Sequence, residues 1–534
     1  MPQTVELKGM AAAGGLTLGP VVVVTAEVAG RPNSGNPKLE AEALDSAIDA
    51  AVAELAALGA SVSGEGSEIL AFQIAMLEDD NLRTPAHAAI AEGEGASEAW
   101  RLAVGRQIAD YSAAEDDYFR ARAVDLSDLR NRVLRHLAGE GETGASPAGA
   151  ILAGEDVPPT RFLQTDWSKG GGVALSGGSP SSHVAMLARS KGVPMVVGLG
   201  VAPFESHDEA IVDGESGVVV LSPGGQDRLR FEARRDEIAE RQRREATFLA
   251  KPAFTRDGRR IEVLVNIASL AELSQLDVGN CDGIGLMRTE FLFHDGEPLP
   301  DEETQLRAYV RFIQWADGRP VTIRTLDIGG DKPVRPLTSS GERNPFLGMR
   351  GVRLTLRHRD VFRIQLRALA RAAAHGALKV MVPMVTIPQE LEETARLFDE
   401  AVAELRAEGK PCARPPLGMM VEVPAAAIMP EVFTQAAFFS IGSNDLTQYV
   451  AAAARDEAQV ATLNEACQPA VLRLIETVTL FGAKAGVPVS LCGDMAGDPR
   501  YLGDLLRAGL TSLSVAPAAL ARVKAAIASI DVGA

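Results

Sequence analysis

The spacing of hydrophobic and polar positions changes several times along this chain, and each change predicts a different kind of element. Residues 1 to about 30 hold a β-rich run, GPVVVVTAEV, that predicts a strand. From Pro37 to about Leu137, stretches such as LEAEALDSAIDAAVAELAALGA have helical periodicity without strand signals. Short β-runs punctuated by glycine return near Gly149, in GAILAGEDVPPT, GGVALSGG, VPMVVG and AIVDGESGVVVLSP. The pattern predicts a helical hairpin or bundle inserted into a compact α/β unit.

The second half of the chain alternates strand-like and helix-like segments. A charged helix with little apolar face is predicted over residues 225–249, and such helices often bridge domains. From about 255 to 534 the strand candidates are IEVLVNIA, DGIGLMR, VTIRTLDI, the MRGVRL stretch, LKVMVPMV, LGMMVEVP, FFSIGS and VPVSLCGD. Eight such units in a segment of about 280 residues are typical of a TIM (β/α)8 barrel. Periodicity alone also suits a doubly wound sheet.

Composition and charge narrow the functional classes. A chain of 534 residues predicts two or three domains. The net charge of −18 argues against nucleic acid as the main partner, because phosphate backbones favour a surplus of Lys and Arg. The four cysteines are scattered without a CxxC pair, so neither a disulfide framework nor a zinc cluster is expected and a reducing cytoplasm is the default. The start, MPQTVELKGM, has no signal-peptide pattern, and VVVV is far too short to cross a bilayer, so we expect a soluble cytoplasmic protein.

Polar residues collect where the predicted barrel strands end, which is where barrel enzymes place catalytic groups. Numbered by strand, they are Asn266 (first), Arg288, Thr289 and Glu290 (second), Arg324 and Asp327 (third, with Gly329 to Lys332 beyond), Arg350 (fourth), Glu422 (sixth), Asn444 and Asp445 (seventh), and Cys492 to Asp494 (eighth). Arginines and a lysine at one mouth would suit a small anionic ligand. Glu422 and Asp445 would suit Mg2+. Each charge could instead belong to an ordinary ion pair, and Cys492 could be a buried apolar side chain or a proton donor or acceptor.

The stretch SGGSPSSHVAMLARSKGVPMVVG places His183 behind glycines and serines, at the head of an apolar helix-like run. Ser181 or Ser182 can cap this helix, whose N-terminal N–H groups and dipole favour an arriving phosphate. The same positive end disfavours an imidazolium, which leaves a ring nitrogen able to attack phosphorus. Gly177 and Gly178 would allow close backbone approach. A structural histidine packed under a glycine turn is the alternative. The six other histidines do not pair at metal-ligand spacing.

Taken together, these motifs resemble a known family. GGSPSSHVAMLAR, GIGLMRTEFLF, RTLDIGGDKP, NPFLGMRGVRL, GMMVEVPAA, FFSIGSNDLTQY and LCGDMAGDP are similar to those of the phosphoenolpyruvate–protein phosphotransferases, enzyme I of the bacterial sugar phosphotransferase system. The resemblance runs from KGMAAAGGLTLGP to SLCGDMAGDP. It implies that His183 takes the phosphoryl group of phosphoenolpyruvate (PEP) at Nε2 and passes it to a histidine of the small carrier protein HPr.

The resemblance also implies roles for the other candidate residues. The matches are Arg288, Arg324, Arg350 and Arg455 to PEP-binding arginines, Asn444 with the backbone of Asp445 to a substrate-contacting pair, Glu422 and Asp445 to Mg2+ ligands, and Cys492 to the proton donor that converts enolpyruvate to pyruvate. Three positions depart from the family pattern. Ala454 stands before Arg455 where Asp is usual, Asp494 replaces Glu, and Met349 replaces Trp. None of these departures removes a group expected to touch the substrate or the metal, so the main reaction is expected to be unchanged.

The family's architecture implies domain boundaries for this chain. Residues 1–29 and 143–224 would form an α/β phosphohistidine domain, residues 30–142 an inserted all-α HPr-binding subdomain, residues 225–254 a linker helix, and residues 255–534 a PEP-binding TIM barrel through which family members dimerise. Because His183 and the barrel lie in different domains, the α/β unit would swing between the barrel mouth and HPr, with residues 225–249 and their flanks as the hinge.

Several rival functions remain at this point. PEP synthases and pyruvate phosphate dikinases share the swivelling domain and the barrel, but their large ATP-grasp domain is not expected in the roughly 180 residues before His183. The nitrogen-regulatory variant of the family would add a GAF domain, which we also do not find. A scaffold that has lost activity would keep the fold, and PEP-dependent labelling would distinguish it. A carbohydrate-active enzyme has only the barrel in its favour, and a fold does not set function.

Overall fold

The computed structural model describes residues 4–24, 30–61, 65–112, 117–139, 146–180, 182–293, 298–330, 334–338, 342, 344–454, 460, 463–464 and 469–533. The chain divides into two compact units, Met1–Ile238 and Ala239–Ala534. The side chains of residues 60–61, 65–69, 117–124, Ser112 and His183 are outside the description, which gives only their backbone.

The first unit is built on a mixed sheet. Its strands are β1 (Val5–Lys8), β2 (Met10–Ala13), β3 (Leu16–Val23), β4 (Ile151–Gly154), β5 (Gly172–Leu175), β6 (Met195–Val197), β7 (Glu209–Asp213) and β8 (Val218–Leu221). They lie in the order β1-β8-β7-β3-β4-β5-β6-β2. Strands β3 to β6 run parallel, and the other pairings are antiparallel. Each β-run expected in this part of the sequence is confirmed as a strand.

Helices occupy the long connection between β3 and β4, as the sequence predicts. They are α1 (Pro37–Ser61), α2 (Glu65–Glu78), α3 (Asp80–Ala91), α4 (Ala96–Ser112) and α5 (Asp117–Ala138). Their apolar side chains, among them Leu44, Ile48 and Trp100, are fully buried in one cluster. That cluster also includes Val173 and Met195 of the sheet. The three later helices are α6 (Pro159–Gln164), α7 (His183–Lys191) and the charged α8 (Gly225–Ala246), within which the division between the two units falls.

The second unit is a closed parallel barrel. Its strands are β10 (Arg260–Ile267), β11 (Ile284–Met287), β12 (Val321–Arg324), β13 (Leu378–Val382), β14 (Leu417–Val421), β15 (Phe439–Ile441), β16 (Val489–Leu491) and β17 (Ser512–Val515). Strand β10 pairs in parallel with both β11 and β17, which closes the ring, and β9 (Ala253–Phe254) adds an antiparallel strand to β10. The TIM barrel is therefore confirmed, and a doubly wound sheet would have stayed open.

Helices surround the barrel strands. They are α9 (Leu270–Leu273), α10 (Glu302–Trp315), α11 (Val352–Arg357), α12 (Arg359–Ala372), α13 (Pro388–Ala407), α14 (Pro424–Ile428), α15 (Ser443–Ala451), α16 (Pro469–Ala485), α17 (Pro499–Arg507) and α18 (Leu520–Ile527). Side chains such as Phe312, Leu369 and Phe398 are fully buried against strand residues in one hydrophobic cluster. Among the described residues no helix has the length and apolar character needed to cross a membrane.

One strand expected from the sequence is wrong, and one was missed. The MRGVRL stretch is not a strand, because Gly351 adopts a positive φ of 58° and helix α11 begins at Val352. The true last strand is β17, whose serines weaken its apolar signal although Ser514 is buried. Arg350 therefore comes from the connection after the third barrel strand, β12. The strand numbers assigned to Glu422, Asn444 and Cys492 each fall by one, to the fifth, sixth and seventh.

Candidate active site

Most of the polar residues predicted at the barrel mouth line one cavity, whereas Asn266, Thr289, Glu290 and Asp494 are not part of its lining. Its walls come from the C-terminal ends of the strands and the connections that follow them: Leu286, Arg288, Arg324, Asp327, Arg350, Met420, Glu422, Gly442, Asn444, Asp445, Cys492 and Gly493. Parallel barrel strands all end at the same rim, so residues far apart in sequence converge here.

Asp327 holds two arginine side chains at once. The buried Arg324 places Nη1 2.9 Å from Asp327 Oδ2 and Nη2 3.3 Å from Glu290 Oε1. Arg350 donates from Nε to Asp327 Oδ1 and from Nη2 to Oδ2, each at 3.2 Å. Such two-point contacts fix the plane of a guanidinium as well as its position. The Nε–H of Arg324 has no partner among the described residues, so it could donate to a ligand.

Asp445 is the second carboxylate that accepts hydrogen bonds from Arg350. Arg350 donates from Nη1 to Asp445 Oδ1 and from Nη2 to Oδ2, each at 3.1 Å. Nη1 also lies 3.4 Å from the hydroxyl of Tyr449, which donates to the Phe346 carbonyl at 2.6 Å. Burial opposes the charge of Arg350, but the carboxylates of Asp327 and Asp445 outweigh it and raise the pKa. The guanidinium therefore stays a fixed cation.

Glu422 carries a buried carboxylate that is only half satisfied. Its Oε1 accepts the backbone N–H of Met384 at 2.6 Å, whereas its Oε2 has no partner in the described part of the chain. Burial raises the pKa of Glu422 to about 8, with Asp445 and Asp327 adding to the effect while Arg324 and Arg350 oppose it. Burial and the neighbouring carboxylates therefore disfavour the charged form of Glu422 despite the two arginines. Met384 itself adopts a positive φ of 57°, which is a strained conformation for a residue with a side chain.

Cys492 is buried and well placed to remain a thiol. Its N–H donates to the Ile441 carbonyl at 3.0 Å, and its Sγ lies 3.6 Å from the same oxygen. Burial raises the pKa of the thiol to about 11. A contact with the Ser440 side chain lowers the pKa, whereas the nearby Glu422 raises it further. The Cys492 carbonyl accepts a hydrogen bond from Asn266 Nδ2 at 2.9 Å. At neutral pH this side chain can therefore donate a proton at the cavity wall.

Asn444 and Asp494 form a reciprocal pair at the rim. Asn444 Nδ2 donates to Asp494 Oδ2 at 3.0 Å, and the Asp494 N–H donates to Asn444 Oδ1 at 2.9 Å. The aspartate that departs from the family pattern thus orients the amide that faces the cavity. Arg288 lies at the same wall and is exposed. Arg455, Asp331 and Lys332 lie outside the described residues.

His183 lies in the first unit, as the first residue of helix α7. Ser182 is the N-cap, and its hydroxyl accepts the N–H of Ala185 at 3.2 Å, so capping by Ser182 is confirmed; Ser181 is outside the described residues. Gly178 has φ 81°, which explains the glycine there. The backbone places His183 at a helix N-terminus, where N–H groups and the helix dipole favour an anion.

Sequence analysis did not predict the cavity-lining residues Leu286, Met420 and Gly442, nor two residues that contact the charged groups, Tyr449 and Met384. Tyr449 lies four residues after Asp445 on α15, so the i, i+4 spacing that puts both on one helix face was an available signal. Met384 contributes through a backbone N–H and a strained φ, which no side-chain pattern reveals. Within the described residues no three His, Cys, Asp or Glu side chains form a ready-made metal site.

Comparison with protein families places the whole chain in one group. Residues 242–532 match the family described as PEP-utilising enzyme, PEP-binding domain. Residues 8–122 match the N-terminal domain of the PEP-utilising enzymes, and residues 146–217 match their mobile domain. The match to the PEP-binding domain alone covers more than half of the chain.

Curated relatives agree with these matches. A phosphoenolpyruvate-protein phosphotransferase of Priestia megaterium is 32% identical over 537 residues, which cover 98% of this chain and 94% of the relative. A protein of the same name from Haloferax volcanii is 42% identical over 420 residues, or 77% of this chain and 73% of the relative. A multiphosphoryl transfer protein of Rhodobacter capsulatus is 38% identical over 454 residues, or 84% of this chain, and the match spans about half, 54%, of its length.

Proposed function

The chain belongs to the PEP-utilising enzymes, and we propose that it transfers the phosphoryl group of PEP through His183 to a histidine of HPr, releasing pyruvate. The observation that carries this proposal is the pair of buried arginines, Arg324 and Arg350, fixed by Asp327 beside the unpaired Glu422 oxygen. PEP is a small ligand with a phosphate and a carboxylate, and rigid guanidinium forks suit both groups. The names of the relatives support the same reaction.

The barrel residues would bind and orient PEP. Arg288, Arg324 and Arg350, with Asn444 at the rim, would hold the phosphate and the carboxylate, and Arg455 would join them from outside the described residues. The carboxylates of Asp327 and Asp445 fix the position of Arg350, but its N–H groups all donate to Asp327, Asp445 and Tyr449, so PEP would have to displace one of these contacts. Arg324 would bind PEP through its Nε–H, which has no partner among the described residues. Phosphoryl transfer depends mainly on such positioning and charge neutralisation.

We propose Mg2+ as the cofactor, held by Glu422 and Asp445. The unpaired Glu422 Oε2 supports this choice, since a carboxylate oxygen is the ligand that Mg2+ prefers. Asp445 fits as well, because each of its oxygens accepts one Arg350 N–H and keeps a further lone pair. When bound, the ion would supply positive charge that neutralises the transferring phosphate.

The transfer itself would couple the two units. As the P–O bond of PEP breaks, a bond forms between phosphorus and Nε2 of His183, and the enolate of pyruvate leaves. The Cys492 thiol then gives its proton to the methylene carbon of the enolate, which completes pyruvate. We propose the domain roles in the same terms: residues 1–29 and 143–224 carry the phosphohistidine, 30–142 dock HPr, 225–254 act as the hinge, and 255–534 bind PEP and form a homodimer in the cytoplasm.

Transfer to HPr tests the proposal. The chain, PEP, Mg2+ and HPr are combined, and the phosphohistidine formed on HPr is compared with the pyruvate released. We expect the two to appear in equal amounts, and both to be lost in His183→Ala. Pyruvate without phospho-HPr would contradict HPr as the acceptor. Absence of both products with the unaltered chain would favour a scaffold that kept the fold without activity.

A further inference from the structure

Gln365 of helix α12 lies behind the barrel mouth and is 1% exposed. Its Oε1 accepts the backbone N–H of Leu326 at 3.0 Å. Its Nε2 lies 3.4 Å from Thr289 Oγ1 and 3.2 Å from the hydroxyl of Tyr309. Tyr309 donates in turn to Gln305 Oε1 at 2.9 Å. A single buried amide therefore contacts the ends of two neighbouring strands and a second helix.

The contacts of Gln365 fall next to the residues that build the ligand site. Leu326 precedes Asp327, the carboxylate that holds both Arg324 and Arg350. Thr289 follows Arg288 and precedes Glu290, whose Oε1 accepts the Asp327 N–H at 3.0 Å. The connections after β11 and β12 are thus joined twice, by Glu290 on the cavity side and by Gln365 on the helix side.

We infer that Gln365 is a positioning residue for PEP: by fixing Leu326 and Thr289, it sets the place of Asp327 and thereby the orientation of the two arginine forks. This inference rests on the proposed PEP chemistry and adds a residue that does not touch the ligand. Without the amide, the buried Leu326 N–H loses its partner, and the backbone has to move to satisfy it. A shift at Asp327 passes directly to Arg324 and Arg350, because both are bound through its carboxylate.

The experiment compares Gln365→Met with Leu369→Ala in the full chain. Leu369 is fully buried on the same helix and packs in the hydrophobic cluster between the helices and the barrel strands. It does not line the ligand site, so its variant controls for lost stability. KM for PEP and kcat are measured from pyruvate release with HPr present, below the Tm of every variant. We expect Gln365→Met to raise KM about tenfold, with kcat changing less, because fork orientation is a matter of substrate positioning. Leu369→Ala should lower Tm at least as much and leave KM unchanged.

Two further variants keep the inference testable. Gln365→Glu retains an oxygen acceptor for the Leu326 N–H, so its KM should lie closer to that of the unaltered chain than the KM of Gln365→Met. Tyr309→Phe leaves the Leu326 contact intact, so its KM should stay within about twofold. If Gln365→Met does not fold, the KM of Tyr309→Phe still tests the inference. A tenfold rise in Tyr309→Phe, or equal KM values for Gln365→Met and Leu369→Ala, would overturn the positioning role. Failure of the unaltered chain to release pyruvate from PEP would instead overturn the proposed function.

Discussion

At the scale of single residues, the site combines fixed cations with a buried carboxylate, Glu422, that has one oxygen without a hydrogen-bond partner among the described residues. Arg324 and Arg350 are neutralised by Asp327, Glu290 and Asp445, whereas Glu422 Oε2 is buried and unpaired within the described residues. A buried carboxylate without a partner costs folding free energy. That cost is consistent with a binding role, since such groups persist at sites where a ligand completes them.

Glu422→Gln should abolish most PEP-driven activity without harming the fold. The amide keeps the shape and an oxygen for the Met384 N–H, but removes the charge that the proposed Mg2+ site requires. We expect pyruvate release to fall by about 100-fold or more, while Tm stays the same or rises. The exposed Glu431→Gln, from the connection that follows the same strand, is the matched control and should behave as the unaltered chain. Undiminished activity in Glu422→Gln would contradict a metal role for this carboxylate.

Cys492→Ser tests the proton donor. A serine hydroxyl is a much weaker acid than a thiol, so the enolate would be protonated slowly although the cavity keeps its shape. We expect pyruvate release to fall by about 10²-fold or more, while the affinity for PEP, measured by calorimetry in a His183→Ala background, stays within about threefold. Cys412→Ser, at a half-buried position that does not line the cavity, should change neither value. Equal rates for Cys492→Ser and the unaltered chain would exclude Cys492 as the donor.

At the scale of elements, the sequence predicted most strands because parallel barrel strands are continuous apolar runs, as in LKVMV and LGMMV. The prediction was wrong at MRGVRL. The alternation of apolar and polar residues there is typical of a strand, but Gly351 has a positive φ and helix α11 begins at the next residue. The prediction also failed at β17, where two serines interrupt the apolar run. Arginines and carboxylates of the site were predictable from their places after strands. Met384 contributes through its backbone N–H, and Gln365 through contacts of its side-chain amide with residues distant in sequence, so the sequence pattern shows neither.

Glu40, in the first turn of α1, ties three segments of the helical insertion together. It is 1% exposed and accepts Arg31 Nη2 at 2.7 Å, the Ser34 N–H at 2.9 Å and the Ala96 N–H at 2.7 Å. Burial by itself would raise its pKa, but these hydrogen bonds lower it from 4.5 to about 2. Since the folded pKa is depressed, the stabilisation is fully present above pH 4.5 and is lost as the pH falls toward 2.

Glu40→Gln should therefore destabilise the first unit at neutral pH and much less in acid. We expect a loss of about 1–3 kcal/mol in the free energy of unfolding at pH 7, and a difference from the unaltered chain that shrinks steadily below pH 4.5. Urea unfolding of both full chains across this pH range measures the difference in their free energy of unfolding. Glu42→Gln is the control, because Glu42 is exposed and its ion pair with Lys38 is long, at 3.9 Å. A difference that is constant with pH would contradict the account of Glu40.

At the scale of the whole molecule, the phosphohistidine candidate and the ligand site belong to different compact units. His183 lies in Met1–Ile238, and the barrel residues lie in Ala239–Ala534. Each unit has its own buried clusters. The proposed reaction therefore requires the two units to approach and separate, which is common where a carrier group serves two partners.

Calorimetry should separate the two units. In His183→Ala, which prevents turnover, we expect two thermal transitions, because each unit has an independent core. PEP with Mg2+ should raise the transition temperature of the barrel only, since a ligand stabilises the unit that binds it. At a ligand concentration of 100 times Kd, the gain in the barrel's free energy of unfolding should be about 2–3 kcal/mol. A shift confined to the other transition would place PEP binding outside the barrel.

The central claim, that PEP phosphorylates His183, is tested most directly by the intact mass of the chain after incubation with PEP and Mg2+ alone. We predict the gain of one acid-labile phosphoryl group, located by peptide mapping at His183 and absent from His183→Ala. A chain that gains no phosphoryl group, or a group that persists in His183→Ala, would contradict the claim.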